Sequence, residues 1–346
     1  MSSSPAAVRI VGRPNTNFLV GYPGISATLP RIEGTVEVRA NRGVAAPVKI
    51  SIVTISLQRR ESIHPSADSV AKKHLGTPRK ETSETVGKEM LLFRCQAGRD
   101  SEDIILMDLP FVIFIPFGRG GQETHRRVPP GSLQLPKKTA ETYYELVVMV
   151  GYERGMQERF PWPVPITRYD TLSTFGMYNR TETAERTTDH LVTLGTSLST
   201  WSYGPLDPIV VFIKIMPNPD WLSKARKVTI QKITVTIEQE VIYNHEGDEP
   251  QRKAFTLLKK SETVGIKLPE LGYYTNIGML LPSEDKRDQN GILPRASSKF
   301  PSFAVNGFTT TAGLYKVEYY LSCKVRTEYS DMLEMNRTDL CWYRHT

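Results

Sequence analysis

The sequence has 346 residues, of which 39% are hydrophobic and 23% charged, and its formal net charge is +7. These values fit a globular protein of about two domains and exclude wholesale disorder. The longest apolar run, Phe111–Ile115, is only strand-sized, so we expect no membrane-spanning helix. The first residues resemble no secretory signal, and the 3 cysteines are too scattered for a disulfide framework. We therefore expect a cytoplasmic protein.

Short apolar runs bounded by glycine and proline follow one another in the first half of the chain. The run Val48–Leu57 alternates with period two and changes phase once, which indicates a bulge or a strand buried on both faces. Tyr144–Val150 also has the pattern of a strand. Between them we predict a loop over Gln58–Lys88, with room for one short helix at Ser83–Phe93 because serine is a good N-cap.

A proline-rich segment predicts the domain boundary. Phe160–Pro165 has prolines at alternate positions, which neither a helix nor a central strand tolerates. Beyond it, strand patterns resume at about Trp201. They include Ile209–Ile215, Val228–Ile237 and Tyr315–Val325, with a turn or two of helix at Pro219–Arg226 and a hairpin at Asn306–Gly307. The predicted fold is all-β, with a sandwich at 8–165, a connector at 166–200, a second sandwich at 201–330 and a tail at 331–346.

The motifs of common enzyme classes are missing from the sequence. It has no nucleophile elbow, zinc-binding H-E-x-x-H helix, phosphate-binding loop or EF-hand loop. Gly118–Gly121 lacks the lysine and hydroxyl of a phosphate loop, and His245–Glu249 has no second histidine nearby. We therefore expect no enzyme activity, no cofactor and no metal site. A β-sandwich hydrolase or lectin with a loop-built site is the alternative, which converging carboxylates or histidines would favour.

Basic residues are more informative because they occur in pairs and triplets in or beside predicted loops. Such clusters attract acidic or phosphorylated segments and anionic membrane surfaces, at ~1 kcal/mol for each basic residue near the membrane. The alternative is that each cluster is simply a solvated loop charge. Nucleic acid is not expected as a partner, because the clusters are not interleaved with aromatic residues. The candidate residues are Arg59, Arg60, Lys72, Lys73, Lys224, Arg226 and Lys227.

Several short segments of the sequence follow one another in an order that is also found in a known protein family. Leu109–Pro116, Val128–Ser132 and Tyr143–Val150 resemble the arrestin N-terminal domain signature, although Gly131 lengthens its Pro-Pro-Ser turn. The resemblance covers about residues 8 to 330 and points to the fungal α-arrestins, the arrestin-related trafficking adaptors. It continues through Ile166–Gly176, Tyr203–Pro208, Met216–Leu222 and Gly313–Tyr319.

The resemblance implies two tandem arrestin-type, immunoglobulin-like β-sandwiches that bind cytosolic tails of membrane transporters or receptors. Such an adaptor would promote ubiquitin-dependent endocytosis and sorting while recruited peripherally to the plasma membrane or endosomes. Family members commonly bind HECT-type ubiquitin ligases through P-P-x-Y or L-P-x-Y segments, and this sequence has neither. Either a tail is missing here or the ligase is recruited differently. The alternative function is a trafficking scaffold that binds coat or exchange-factor subunits without a ubiquitin ligase.

Overall fold

The computed structural model describes residues 5–12, 18–41, 47–64, 80–116, 130–135, 139–168, 182–188, 191–200, 203, 208–247, 249–280 and 309–328. Within these ranges nearly all regular structure is β-strand, and the single α-helix, α1, is one turn at Leu222–Ala225. The strands pair antiparallel in four sheets, and the chain divides into two compact units. The prediction of an all-β fold is confirmed.

The first unit is built from two sheets. Its strands are β1 (Ala6–Val11), β2 (Leu19–Val20), β3 (Arg31–Ala40), β4 (Val48–Ile63), β5 (Lys80–Arg94), β6 (Glu102–Ile104), β7 (Leu106–Phe114), β8 (Leu133–Gln134), β9 (Ala140–Tyr152) and β10 (Gln157–Pro163). In one sheet, β3 pairs with β1 and β2 and also with β7. The other sheet has the order β10-β9-β4-β5, with β6 added to β4 and β8 added to β9.

Alternating apolar residues from both sheets form the core of the first unit. Ile55 of β4 and Val148 of β9 pack in one buried cluster with Val36 of β3 and Ile113 of β7. Period-two alternation gives each of these strands one apolar face, which is why the sheets stack as a sandwich. The phase change in β4 corresponds to a register shift beside Ile52, so the bulge interpretation is the correct one.

The second unit also contains two sheets. Its strands are β11 (Glu182–Thr188), β12 (Val192–Leu198), β13 (Pro208–Pro217), β14 (Thr229–Tyr243), β15 (Gln251–Lys267), β16 (Tyr273–Leu280), β17 (Thr310–Thr311) and β18 (Tyr315–Thr327). One sheet has the order β11-β12-β13-β16, and the other has the order β15-β14-β18-β17. Between them lies a second core, in which Ile213 and Ile277 meet Ile237 and Leu321.

The two units share one strand order. The neighbours β5-β4-β9 of the first unit correspond to β15-β14-β18 of the second, and β7-β3-β1 correspond to β16-β13-β12. The outermost strands differ between the two units. In the first unit β10 pairs with the far side of β9, along Glu145–Gly151, whereas in the second unit the described residues place only the two-residue β17 beside β18.

The predicted helix at Ser83–Phe93 is wrong, because this segment lies within β5 and pairs with β4. The predicted loop over Gln58–Lys88 is also wrong at both of its ends. Gln58–Ile63 belongs to β4 and Lys80–Lys88 to β5. Strand β5 is a mostly exposed edge strand with mixed polar residues, so it lacks the one-sided apolar pattern that identifies a strand in a sequence. Pairing with β4 therefore outweighs the local preference of Ser83–Phe93 for a helix.

Strands β11 and β12 lie within the predicted connector over 166–200, and both belong to a sheet of the second unit. This unit therefore begins before residue 201. Strand β12 buries alternate residues, among them Val192, Leu194 and Leu198, but serine, threonine and glycine separate them and obscure the pattern. The predicted hairpin at Asn306–Gly307 and the tail at 331–346 lie outside the described residues.

Candidate binding surface

Arg59 and Arg60, two of the predicted binding residues, lie inside β4 and not in a loop. Nε of Arg59 is 3.1 Å from Oε1 of Glu61, and its Nη2 is 2.7 Å from Oε2 of Glu84. Nε of Arg60 is 3.6 Å from Oε2 of Glu145. Only 12% of the Arg59 side chain is exposed. An acidic partner at this pair would have to compete with carboxylates of the same unit.

A tyrosine also holds Arg60 in place. Nη1 of Arg60 donates a hydrogen bond to the Tyr143 hydroxyl over 3.4 Å. This hydrogen bond raises the pKa of Arg60 above its ordinary value, although burial acts in the opposite direction. The guanidinium therefore stays charged and oriented within the sheet. Lys72 and Lys73, the next predicted pair, lie outside the described residues.

The third predicted group, Lys224, Arg226 and Lys227, lies in the connection between β13 and β14. All three side chains are exposed. Nζ of Lys224 is 4.4 Å from the ring centroid of Trp221, which is a cation–π distance. Nη2 of Arg226 is 2.8 Å from Oε1 of Glu270 in the turn between β15 and β16. The structure thus brings these three residues together on one exposed connection.

A larger cationic surface lies on the outer side of the sheet formed by β15, β14 and β18. The pairing register of these strands aligns nine side chains in three rows. The rows, read from β15 across β14 to β18, are Lys259–Thr236–Ser322, Ser261–Thr234–Lys324 and Thr263–Lys232–Arg326. We call these nine residues the basic face. It combines four exposed cations with five hydroxyl residues, of which Thr236 and Ser322 are buried, and none of the nine is a carboxylate.

The arrangement of charge on the basic face is unfavourable for an isolated sheet. Lys232 and Arg326 are direct cross-strand partners, and like charges in that position destabilise a sheet. Lys324 lies one row away on β18. Between the cations, Oγ1 of Thr234 lies 2.9 Å from Oγ of Ser261. Cations and hydroxyls at this density match the oxygens of carboxylate and phosphate groups, and bound anions would relieve the repulsion.

The excess of positive charge is confined to one half of this sheet surface. Towards the other end of the same strands, carboxylates accompany the cations. Nη1 of Arg252 lies 3.6 Å from Oε2 of Glu240, and Nζ of Lys316 lies 2.6 Å from Oε1 of Glu318. The basic face is therefore a bounded patch and not a general property of the sheet.

The four cations of the basic face were not among the binding residues predicted from the sequence. The alternation in β18 places Lys324 and Arg326 on the polar side of that strand, so the sequence alone indicates that these two cations share a face. The alignment of Lys232 and Lys259 with these two residues cannot be predicted in the same way, because it depends on the register of β14, β15 and β18. Clusters of adjacent basic residues cannot reveal a patch built from alternate positions.

Burial shifts the pKa of two side chains in the second unit, Tyr319 and Cys323. In the described part of the chain, no three histidine, cysteine or acidic side chains cluster closely enough to hold a metal ion. Burial raises the pKa of the Cys323 thiol to about 12, so this cysteine is not a thiolate nucleophile at neutral pH. Burial also raises the pKa of Tyr319, whose hydroxyl accepts a hydrogen bond from Nε2 of Gln239 over 2.7 Å. None of the helical segments in the described ranges is long and apolar enough to span a membrane.

Comparison with known proteins identifies the second half of the chain. Residues 188–340 match the family model of the arrestin (or S-antigen) C-terminal domain, so the match includes the basic face. No curated protein matches the chain. Arrestin-family proteins are in general non-enzymatic adaptors in trafficking and signalling. The family match and the all-β architecture together support an arrestin-like protein.

Proposed function

We propose that this protein is a trafficking adaptor of the α-arrestin type. It binds cytosolic tails of membrane transporters or receptors and promotes their ubiquitin-dependent endocytosis and sorting. The adaptor works in the cytoplasm and is recruited peripherally to the plasma membrane or endosomes. The arrestin C-terminal domain match supports the adaptor class, and the order of the segments resembling α-arrestins supports the narrower assignment.

The basic face carries this proposal, because it gathers four cations in one patch and two of them, Lys232 and Arg326, are direct cross-strand partners. An anionic leaflet supplies phosphate groups that relieve the repulsion, with ~1 kcal/mol for each basic residue near the surface. Cargo tails are tethered to that same leaflet. Weak attachment to the tail and weak attachment to the membrane then reinforce each other through effective concentration. No step of this mechanism requires a covalent reaction by the protein.

Charge reversal of the basic face tests the proposal. The variant Lys259→Glu/Lys324→Glu/Arg326→Glu should bind liposomes containing anionic lipid about 100-fold more weakly than the wild type, from about 1 kcal/mol for each residue. The loss should be largest at low ionic strength, where charges are least screened. Cosedimentation across a salt series measures both effects.

A matched control separates the patch from net charge. Lys80→Glu/Lys88→Glu/Arg94→Glu changes three exposed cations of β5 and alters the formal charge equally. This control should retain most of the binding. Lys224→Glu/Arg226→Glu/Lys227→Glu should also weaken binding to liposomes or acidic tail peptides in a salt-dependent way. Wild-type binding by the basic-face variant at low salt would refute the proposal, and wild-type binding by the last variant would remove only its three residues from the site.

The absence of a P-P-x-Y or L-P-x-Y segment from the sequence favours a second candidate function. In this alternative, the protein is a trafficking scaffold that binds coat or exchange-factor subunits and recruits no HECT-type ligase. Capture of the full-length protein on tandem WW domains distinguishes the two. Robust capture would contradict the scaffold, whereas failure to bind, with a P-P-x-Y peptide captured in parallel, would favour it.

A further inference from the structure

The five hydroxyl residues of the basic face differ in their accessibility. Thr236 and Ser322 are buried, and Thr234 is only partly exposed on β14, which pairs with strands on both of its sides. Ser261 and Thr263 of β15 are exposed. An enzyme that modifies a hydroxyl group must reach it, so the two residues of β15 are the accessible candidates on this face.

The segment of β15 around Ser261 is weakly anchored. None of the 17 residues of this strand is buried. Its pairing with β14 shifts register on both sides of Leu258–Thr263, at Ile230/Lys232 and at Ile237/Glu238. Segments with little burial and irregular pairing open at a low cost in free energy. We therefore expect Leu258–Thr263 to become available, by local opening, as an extended substrate segment.

The residues before Ser261 favour one class of modifying enzyme. Lys259 and Lys260 directly precede Ser261, whereas Glu262 directly precedes Thr263. A protein kinase with an acidic substrate groove is electrostatically complementary to a serine that follows two lysines. Nζ of Lys260 makes an exposed hydrogen bond to the carbonyl of Gly278 over 2.9 Å, which the kinase has to displace. Charge thus selects Ser261 over Thr263.

The surroundings of Ser261 are suited to hold a phosphate. Oγ of Ser261 lies 2.9 Å from Oγ1 of Thr234, so the Thr234 hydroxyl is in place to donate to a phosphate oxygen. Lys259 lies two residues away on the same side of β15, and Lys232 is the diagonal neighbour on β14. Long side chains span both separations. Hydrogen bonds from ammonium groups to phosphate are stronger than those between neutral groups.

We propose that Ser261 is a phosphorylation site and that its phosphate weakens the attachment of the basic face to anionic membranes. This inference rests on the proposed function and names a regulation of the same surface. A phosphoserine carries a charge of about −1.5 to −2 at neutral pH. It therefore balances about half of the charge of the four cations on the basic face. Phosphorylation next to basic clusters releases proteins from membranes in this way.

The covalent step is an ordinary phosphoryl transfer. A protein kinase supplies the γ-phosphoryl group of ATP, and a bond forms between its phosphorus and Oγ of Ser261. The bond from that phosphorus to the bridging oxygen of ATP breaks, and ADP leaves. The proton of the serine hydroxyl passes to a base of the kinase.

Phosphorylation of the purified protein tests the site. The full chain is incubated with Mg²⁺, ATP and a protein kinase selective for serines preceded by basic residues. A peptide with the sequence Leu257–Val264 is treated in parallel. Fragmentation mass spectrometry should locate phosphate on Ser261 in both. Ser261→Ala should abolish modification of this segment, and Thr263→Ala should leave it unchanged. Lack of phosphate on Ser261 in the folded chain would overturn the inference, whether or not the peptide is modified.

Protein with phosphoserine encoded genetically at position 261 tests the consequence. It should bind liposomes containing anionic lipid about 30-fold more weakly than the unmodified protein, because about two positive charges are balanced. Its free energy of unfolding should increase, because the phosphate relieves the repulsion between Lys232 and Arg326. Cosedimentation and urea unfolding measure the two effects.

A matched control separates the position of the phosphate from its charge. Ser83 is exposed on β5 in the first unit, and phosphoserine encoded there adds the same charge. This control should retain most of the liposome binding, and its free energy of unfolding should not increase. Equal effects of phosphoserine at positions 83 and 261 would contradict a specific role for Ser261.

The outcome is separable from that of the proposed function. If phosphoserine at position 261 leaves liposome binding unchanged while charge reversal of the basic face abolishes it, the inference fails alone. If charge reversal itself leaves liposome binding unchanged, the membrane part of the proposed function fails. In that case, phosphorylation of Ser261 and the increase in the free energy of unfolding still test the site, because neither measurement involves liposomes.

Discussion

His245 is a half-buried histidine whose surroundings oppose its protonation. It lies in the turn that follows β14, close to Glu246 and to Lys316 and Glu318 of β18. Burial lowers the pKa of His245 below its ordinary value of 6.5, and the positive charge of Lys316 acts in the same direction. The two glutamates oppose the shift and are outweighed. The folded protein therefore holds a neutral imidazole at this position at neutral pH.

This lowered pKa predicts a pH dependence of stability. Only well above pH 6.5 is His245 neutral in both states, and there it contributes no slope. As the pH falls below 6.5 the unfolded chain takes up a proton first, so the free energy of unfolding should decrease. His245→Gln should reduce that decrease between pH 6.5 and 5.5, and urea unfolding at several pH values measures it. An identical loss of stability in the variant and the wild type would contradict the assignment.

Arg59 and Arg60 illustrate how far single residues can be interpreted from sequence. Their charge and adjacency were visible, and both proved to be within reach of carboxylates. What the sequence could not show is that those carboxylates come from their own unit, since Glu84 and Glu145 lie on neighbouring strands. Adjacent cations look the same in a sequence whether they face solvent or an internal partner.

At the scale of elements, two glycines of β15 and the following turn have the same backbone requirement but different surroundings. Gly265 has φ +69° and Gly272 has φ +85°, a region that favours glycine. A Cβ added at Gly265 would meet no atom within 4 Å. At Gly272 it would lie 2.9 Å from the carbonyl oxygen of Ile215, and the side chain of Met216 would be closer still. Gly272 thus allows the turn to approach the end of β13.

Substitution of the two glycines by alanine should lower the free energy of unfolding by different amounts. Gly265→Ala should lower the free energy of unfolding by about 1–2 kcal/mol, from the left-handed backbone alone. Gly272→Ala should lower it by a further 1–3 kcal/mol or so, because the backbone at Ile215 has to shift as well. Urea denaturation of both variants measures the difference. Equal losses would show that the close approach at Gly272 does not contribute.

Strands with one solvated face could be predicted from sequence, and edge strands could not. The predicted strand Tyr315–Val325 agrees with nearly the whole of β18, because six apolar residues that face the core alternate with residues on the other face. Strand β5 is exposed on most positions, so no burial pattern marks it. Strand β12 alternates correctly, but its Thr196 is a buried polar residue and hides the pattern.

For the whole molecule, the decisive information is which distant strands are neighbours. The two units repeat one strand order, yet their equivalent outer faces differ in charge. In the first unit Arg159 lies 2.7 Å from Glu145, which also faces Arg60, so cations there are balanced. The nine residues of the basic face in the second unit include no carboxylate. Composition and motifs gave the fold class, whereas the candidate surface depends on the register of β14, β15 and β18 and could not be predicted without it.

Long sequence separation between paired strands also affects how the chain is made. Ile237 of β14 pairs with Leu321 of β18, 84 positions later. Translation proceeds at roughly 5–20 residues per second, so β18 leaves the ribosome roughly 4–17 s after β14. During that interval the β14–β15 hairpin can form, but the edge of β14 that later pairs with β18 remains unpaired and prone to aggregation. We expect the nascent second half to depend on chaperones that shield aggregation-prone edges until synthesis is complete.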